Sequence, residues 1–245
     1  MELVNIKAPF VSNLVVAAYG FLKPAQKSYS LYGEDLVLKE LFSEKEEGVY
    51  FDIGAFHAKW ISNTYLLDKR GWRGVAIDVD SKKLFSFRSR EKCCICVGAV
   101  VPSDFPNDRV IIYKFRRSSS EYDTIHRPTA LDYAIRYGLE FDEYEVPAMR
   151  IDTLLNEYMQ LFGRPIDYLN IDIEGADEDV LVSFDPRIFG IRVISFENNT
   201  DYPGSLKIRS HLKANGFQHY STLGGTHIYV LDEIIAERFT GKNLA

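Results

Sequence analysis

Short apolar runs alternate with amphipathic stretches over most of this chain, and that pattern confines it to βα units wound around a parallel sheet. Leu38, Leu41 and Phe42 mark one face of a first helix. Gly48 to Gly54 reads as a buried strand ending in a glycine turn, followed by a helix from Ile61 to Lys69 that Gly71 closes. Gly74 to Asp78 is a second strand, with Ser81 placed to cap the next helix, and Ile95 to Val101 is a third. Farther on come a helix over Ile151 to Leu161, a strand over Ile166 to Asp172 and a helix over Gly175 to Phe184. A strand over Arg192 to Glu197 and a helix over Ser205 to Asn215 follow. The end reads as a hairpin, Phe217 to Thr222 and Thr226 to Leu231 around Gly224-Gly225.

The middle departs from the alternation. Val110 to Phe115 is an additional strand, and residues 118–145 turn polar and aromatic, with Tyr122, His126, Tyr133, Tyr137, Phe141 and Tyr144. This reads as an insertion with a helical piece covering the substrate site, or equally as a structural lobe edged by tyrosines. Residues 1–45 form an N-terminal helical segment of the same single domain, since 245 residues suit one α/β unit. Ala8 to Leu22 is apolar but too short to span a bilayer, and it lacks the basic start of a signal peptide. It is predicted to pack on the domain or on a second subunit, making a homodimer, with membrane-surface attachment the lesser option.

Charge narrows the partners. The formal net charge is −6 with no run of basic residues, which disfavours bulk nucleic acid and leaves only a local patch at Lys114, Arg116 and Arg117. Cys93, Cys94 and Cys96 are an odd, clustered set, unsuited to a disulfide framework and without a second cluster to complete a zinc site. They read as buried strand residues in a reducing cytosol, hence a cytoplasmic protein.

In an open parallel sheet, ligands collect beyond the carboxyl ends of the strands. The first strand ends in Asp52-Ile53-Gly54-Ala55 and the second in Asp78, while later ones end in Asp172-Ile173-Glu174-Gly175 and Glu197-Asn198. Gly54 permits a sharp turn and close backbone approach to a ligand. A carboxylate about 25 residues on, Asp78, is placed to accept both hydroxyls of a ribose. An adenosine-containing cofactor follows. The run Gly54-Ala55-Phe56 lacks the further glycines that seat a pyrophosphate, which weakens an NAD reading.

The runs Gly33-Glu34-Asp35, Asp52-Ile53-Gly54-Ala55-Phe56-His57, Ser62-Asn63-Thr64, Gly71-Trp72-Arg73-Gly74 and Ile77-Asp78 together resemble the FkbM family of S-adenosylmethionine-dependent methyltransferases. Arg150-Ile151-Asp152-Thr153-Leu154 and Leu169 to Ala176 match its second half. The resemblance implies a class I methyltransferase-like (Rossmann-like) fold whose mostly parallel sheet ends in an antiparallel hairpin. It also implies O-methylation of a sugar, glycan or natural-product hydroxyl. One departure is Asp78-Val79-Asp80-Ser81, where the family often has a proline-containing turn.

The cofactor site is accordingly placed on Asp52, Gly54, Ala55, Phe56, Asn63, Asp78 and Asp172. For Asn63 and Thr64, helix capping is an equal explanation. Candidate catalytic residues are His57, which follows the cofactor loop and can titrate near neutral pH or else holds that loop as a neutral histidine by a hydrogen bond, and Asp172 and Glu197. Asp172, Glu174, Glu197 and Asn198 form a candidate site for Mg²⁺ or another oxygen-loving cation. The competing readings are an NAD-dependent oxidoreductase, a non-catalytic nucleotide-binding module and a nucleic-acid methyltransferase.

Overall fold

The computed structural model describes residues 27–116, 122–197 and 205–241. The predicted helix over Ala8 to Leu22, and with it the dimer element expected there, lies outside them. The central sheet holds β1 (Val49–Ile53), β2 (Arg73–Asp78), β3 (Cys93–Val97), β7 (Tyr168–Ile171), β8 (Val193–Glu197), β9 (Phe217–Leu223) and β10 (Thr226–Leu231). Its order is β3-β2-β1-β7-β8-β10-β9, and β10 alone runs against its neighbours. This is the class I arrangement expected above, parallel strands closed by a terminal hairpin.

Alternation along the strands sorts side chains onto two faces. Val49, Phe51, Ile53, Val75, Ile77, Leu169 and Ile171 enter one buried cluster. Tyr50, Tyr168, Val193 and Ile228 enter another with Trp72 and with Leu38 and Leu41 of α1 (Glu34–Leu41). Burial on both faces accounts for the near-continuous apolar strands, each buried large side chain contributing roughly 1.5–3 kcal/mol. The first strand ends at Gly54 because β1 and β7 lead into turns that touch: a Cβ on Gly54 would lie 1.7 Å from the carbonyl oxygen of Asp172.

Where the structure departs from the sequence reading, a local cause is visible. The single third strand expected over Ile95 to Val101 divides at Gly98, whose N–H donates to the Asp78 carbonyl at 3.1 Å. From there β4 (Ala99–Val101) leaves for a second sheet, β4-β6-β5, built with β5 (Arg109–Phe115) and β6 (Phe141–Arg150). The segment expected to be an insertion, residues 118–145, packs as part of a lobe: α4 (Arg127–Tyr137) is its helical piece, and β5 and β6 are its frame. The helix expected from Ile61 is only α2 (Tyr65–Lys69), because Ile61 sits at φ 51°, outside helical space. Asp80, not Ser81, caps α3 (Ser81–Leu84), accepting from the Lys82 N–H at 2.9 Å. The helix expected over Ile151 to Leu161 forms as α5 (Ile151–Phe162), and that expected from Gly175 to Phe184 shortens to α6 (Asp177–Leu181). The three cysteines are free and half-buried rather than buried.

Candidate active site

A cleft of about 410 Å³ opens beyond the carboxyl ends of β1, β2, β7 and β8. Among the described residues it is lined by Glu34, Asp52, Asp78, Asp123, Asp172, Glu174 and Glu197, against a single lysine, Lys83. Its field therefore favours a cationic ligand.

The turn after β1 is fixed from below. Gly54 and Ala55 donate their N–H groups to the Ile77 carbonyl at 2.9 and 3.0 Å. Gly54 adopts φ 83°, and the Ala55 side chain is buried away from the cleft, so Ala55 serves the turn through its backbone and its packing. Phe56 lines the cleft with its ring 5.6 Å from the Lys83 ammonium.

Strand register lines up Asp52, Asn170 and Ser195 across β1, β7 and β8. They bond in series, Ser195 Oγ to Asn170 Oδ1 at 2.6 Å and Asn170 Nδ2 to Asp52 Oδ1 at 3.0 Å. Thr64 Oγ1 donates to the other Asp52 oxygen at 2.6 Å, and Asn63 Nδ2 reaches Asn170 Oδ1 at 3.1 Å. Asp52 is thus engaged on both oxygens, and burial still pushes its pKa up. It shapes the cleft floor through Thr64 and Asn170. Asn63 is tied inward to the same network, not to a helix cap.

Arg90 was not legible as a site residue. It is buried, and its guanidinium donates to Tyr50 Oη and Thr64 Oγ1 at 2.9 Å, to Ser62 Oγ at 3.0 Å and twice to the Ala58 carbonyl. One planar fork therefore pins the loop from Ala58 to Thr64 onto β1. In a run of charged residues at 88–92 the sequence gives no sign that one of them turns inward.

At the end of β2, Asp78 accepts from the Asp80 N–H at 2.7 Å and faces Lys83 Nζ at 3.3 Å. Burial raises its pKa, with Lys83 opposing. His57 lies at the cleft edge, where Nδ1 accepts from the Lys59 and Trp60 N–H groups at 3.0 and 3.1 Å. That commitment leaves the neutral ring's proton on Nε2, and burial followed by Arg90 holds its pKa below the ordinary value.

Asp172, Glu174 and Glu197 converge, one carboxylate oxygen from each lying within 4.8 Å of the other two. Asn198, the fourth residue of the expected cation site, lies outside the described residues. Desolvation pushes the Asp172 pKa well up, and repulsion from Glu197, Asp177 and Glu174 adds to it. Asp177, at the start of α6, is raised by burial to about 7 while accepting from the Ile173 and Gly175 N–H groups at 3.3 and 3.0 Å.

Glu174 adopts φ 54°, a left-handed conformation for a residue other than glycine, and the inserted lobe holds it there. Thr124 Oγ1 donates to its carbonyl and Tyr133 Oη to its Oε2, each at 2.7 Å. Tyr133 is on α4, so the lobe reaches the acidic cluster directly; no periodicity in the sequence pointed to this contact.

The family described as Methyltransferase FkbM domain matches residues 52–219 of the chain. Comparison with curated proteins gives no match. Among solved structures, a TehB-like SAM-dependent methyltransferase from Corynebacterium glutamicum ATCC 13032 Kitasato is similar at 11% identity and a TM-score of 0.39, over 91% of this chain and 99% of that one. The METTL16 MTase domain is similar at 12% identity and a TM-score of 0.36, over 80% of this chain and 65% of that one.

Proposed function

The chain belongs to the FkbM methyltransferase family, and from that premise we propose that it moves a methyl group from S-adenosylmethionine to a hydroxyl of a sugar, glycan or other natural product. The charge of the cleft supports the cofactor: seven carboxylates and one lysine suit a sulfonium with an ammonium group, and would repel the pyrophosphate of a dinucleotide. A volume of about 410 Å³ is of cofactor size. Asp78 would take the ribose hydroxyls, with Lys83 giving way. Gly54 lets backbone come close where a Cβ has no room.

When bound, S-adenosylmethionine supplies an electrophilic methyl group on a positively charged sulfur. The protein's own work is to align an acceptor oxygen with that methyl and to take its proton. The observation that carries the assignment of the base is the position of Asp172: it lines the cleft beside Glu174 and Glu197, while burial and their repulsion push its pKa up. Glu197 beside it shares the negative charge. Tyr133 keeps Glu174 bonded, and the lobe that carries Tyr133 covers the acceptor side of the cleft. His57, with Nδ1 occupied, serves as an Nε2–H donor that orients the acceptor.

Methyl transfer to a panel of sugar hydroxyls tests this assignment. Asp172→Asn is expected to lose about 10²- to 10⁴-fold in kcat, and His57→Gln to stay within about tenfold of wild type. The opposite ranking overturns the choice of base. A second reading places Mg²⁺ on Asp172, Glu174 and Glu197, supported by the convergence of their oxygens. Turnover lost to EDTA and restored by Mg²⁺ is its signature, and EDTA-insensitive turnover removes it.

A further inference from the structure

The mouth of the cleft is apolar where the floor is acidic. Leu31 and Tyr32 on one loop and Trp60 and Ile61 on another are 60, 55, 53 and 54% exposed. Three of these four line the cleft itself. The two loops are one surface: the Ser62 N–H donates to the Tyr29 carbonyl at 2.9 Å, and the Tyr29 and Tyr65 rings meet edge to face at 4.5 Å. Below them Asp35 accepts from Ser28 Oγ and the Tyr29 N–H at 2.7 Å and from Ser30 Oγ at 2.8 Å, which sets the first loop. Ile61 is held outward at φ 51°, a conformation that a β-branched side chain resists.

Two lysines flank the patch. The Lys27 and Lys59 ammonium groups lie 5.8 and 5.1 Å from the Trp60 ring, and neither has a carboxylate partner among the described residues. Upstream of Lys27, beyond Lys23-Pro24-Ala25-Gln26, the sequence carries the uncharged, largely apolar run Ala8 to Leu22. Aromatic and aliphatic side chains at one level, unpaired lysines beside them and an apolar stretch leading in are the chemistry of an interfacial membrane anchor. No helix among the described residues is long and apolar enough to cross a bilayer.

We propose that the rim formed by Leu31, Tyr32, Trp60 and Ile61, with Lys27 and Lys59, seats the cleft mouth on an anionic bilayer surface. Leu31, Tyr32 and Ile61 enter the acyl boundary, Trp60 lies at headgroup depth, and the two lysines meet lipid phosphates. Resting on the function proposed above, this draws the acceptor from the bilayer as an amphiphile whose hydroxyl reaches the cleft.

Tryptophan fluorescence reads the contact without turnover. The chain has two tryptophans, and Trp72 is fully buried, so a change in emission on adding vesicles reports Trp60. With the full chain, vesicles of phosphatidylcholine and phosphatidylglycerol are expected to shift emission to the blue and to co-sediment with the protein, an effect weakened by salt and by omitting the anionic lipid. Trp60→Ser with Lys27→Glu and Lys59→Glu is expected to lower the vesicle-bound fraction about tenfold or more, with an unchanged thermal midpoint. Full retention of binding by that variant overturns the proposal. So does a Trp60 shielded from acrylamide before any vesicle is added, because the rim is then covered by the protein's own N-terminal run or by a second copy. Cofactor binding in solution is measured separately, so its failure and failure of the membrane contact are distinguishable.

Discussion

Gly54→Ala is expected to be the most damaging single-methyl change in the chain. The added Cβ would stand 1.7 Å from the Asp172 carbonyl oxygen and 2.7 Å from its carbonyl carbon, both backbone atoms that cannot swing aside. The φ of 83° adds the left-handed penalty, roughly 1–2 kcal/mol for an L-residue. Separating the two turns would also break the hydrogen bonds that Gly54 and Ala55 make to Ile77. A loss of about 3 kcal/mol or more in unfolding free energy follows, a fall in Tm of about 6–12 °C for a chain of this size. Thermal unfolding of the purified variant measures it, and a shift under 2 °C would show that the β1 and β7 turns have room the structure denies them.

Arg90→Met is expected to follow closely, through a different cause. Methionine keeps much of the arginine stem's volume and removes every donor, leaving Tyr50 Oη, Thr64 Oγ1, Ser62 Oγ and the Ala58 carbonyl short of a buried partner. Asp68, 3.9 Å away, loses its cation as well. Breaking a buried, hydrogen-bonded charge network of this kind costs about 3–5 kcal/mol. Arg90→Lys recovers little, because one ammonium cannot reach acceptors spread along a loop and a strand. Denaturant unfolding of Arg90→Met and Arg90→Lys settles both points. The account fails if lysine restores full stability or if methionine loses less than about 1 kcal/mol.

What could be read from the sequence was whatever depends on periodicity or on a residue's place at a strand end. Apolar runs such as Val49 to Ile53 and Tyr168 to Ile171 announced buried strands, and Gly54 and Asp78 could be placed at the cleft because each ends such a run. Asp172, Glu174 and Glu197 were expected together for the same reason, and they do converge. The break at Gly98 was not visible, since a glycine inside an apolar run marks a bulge, a bend or nothing. Arg90 and Tyr133 act across 26 and 41 residues of chain on Thr64 and Glu174, and no local pattern encodes such a contact. His57 shows the converse. Its type and position suggested either a base or a neutral histidine holding the loop, and its Nδ1 accepts from the backbone N–H groups of Lys59 and Trp60.

The central claim, that this cleft holds S-adenosylmethionine with Asp78 on the ribose, is tested most directly by calorimetric titration of the wild-type chain and Asp78→Ala. The predicted result is wild-type binding on the order of micromolar, about −8 kcal/mol, with no binding of NAD. Removing the acceptor of two ribose hydroxyls should weaken binding by about tenfold to a hundredfold in a variant that remains folded. Absence of heat with S-adenosylmethionine in the wild type, or equal affinity in Asp78→Ala, would contradict the account.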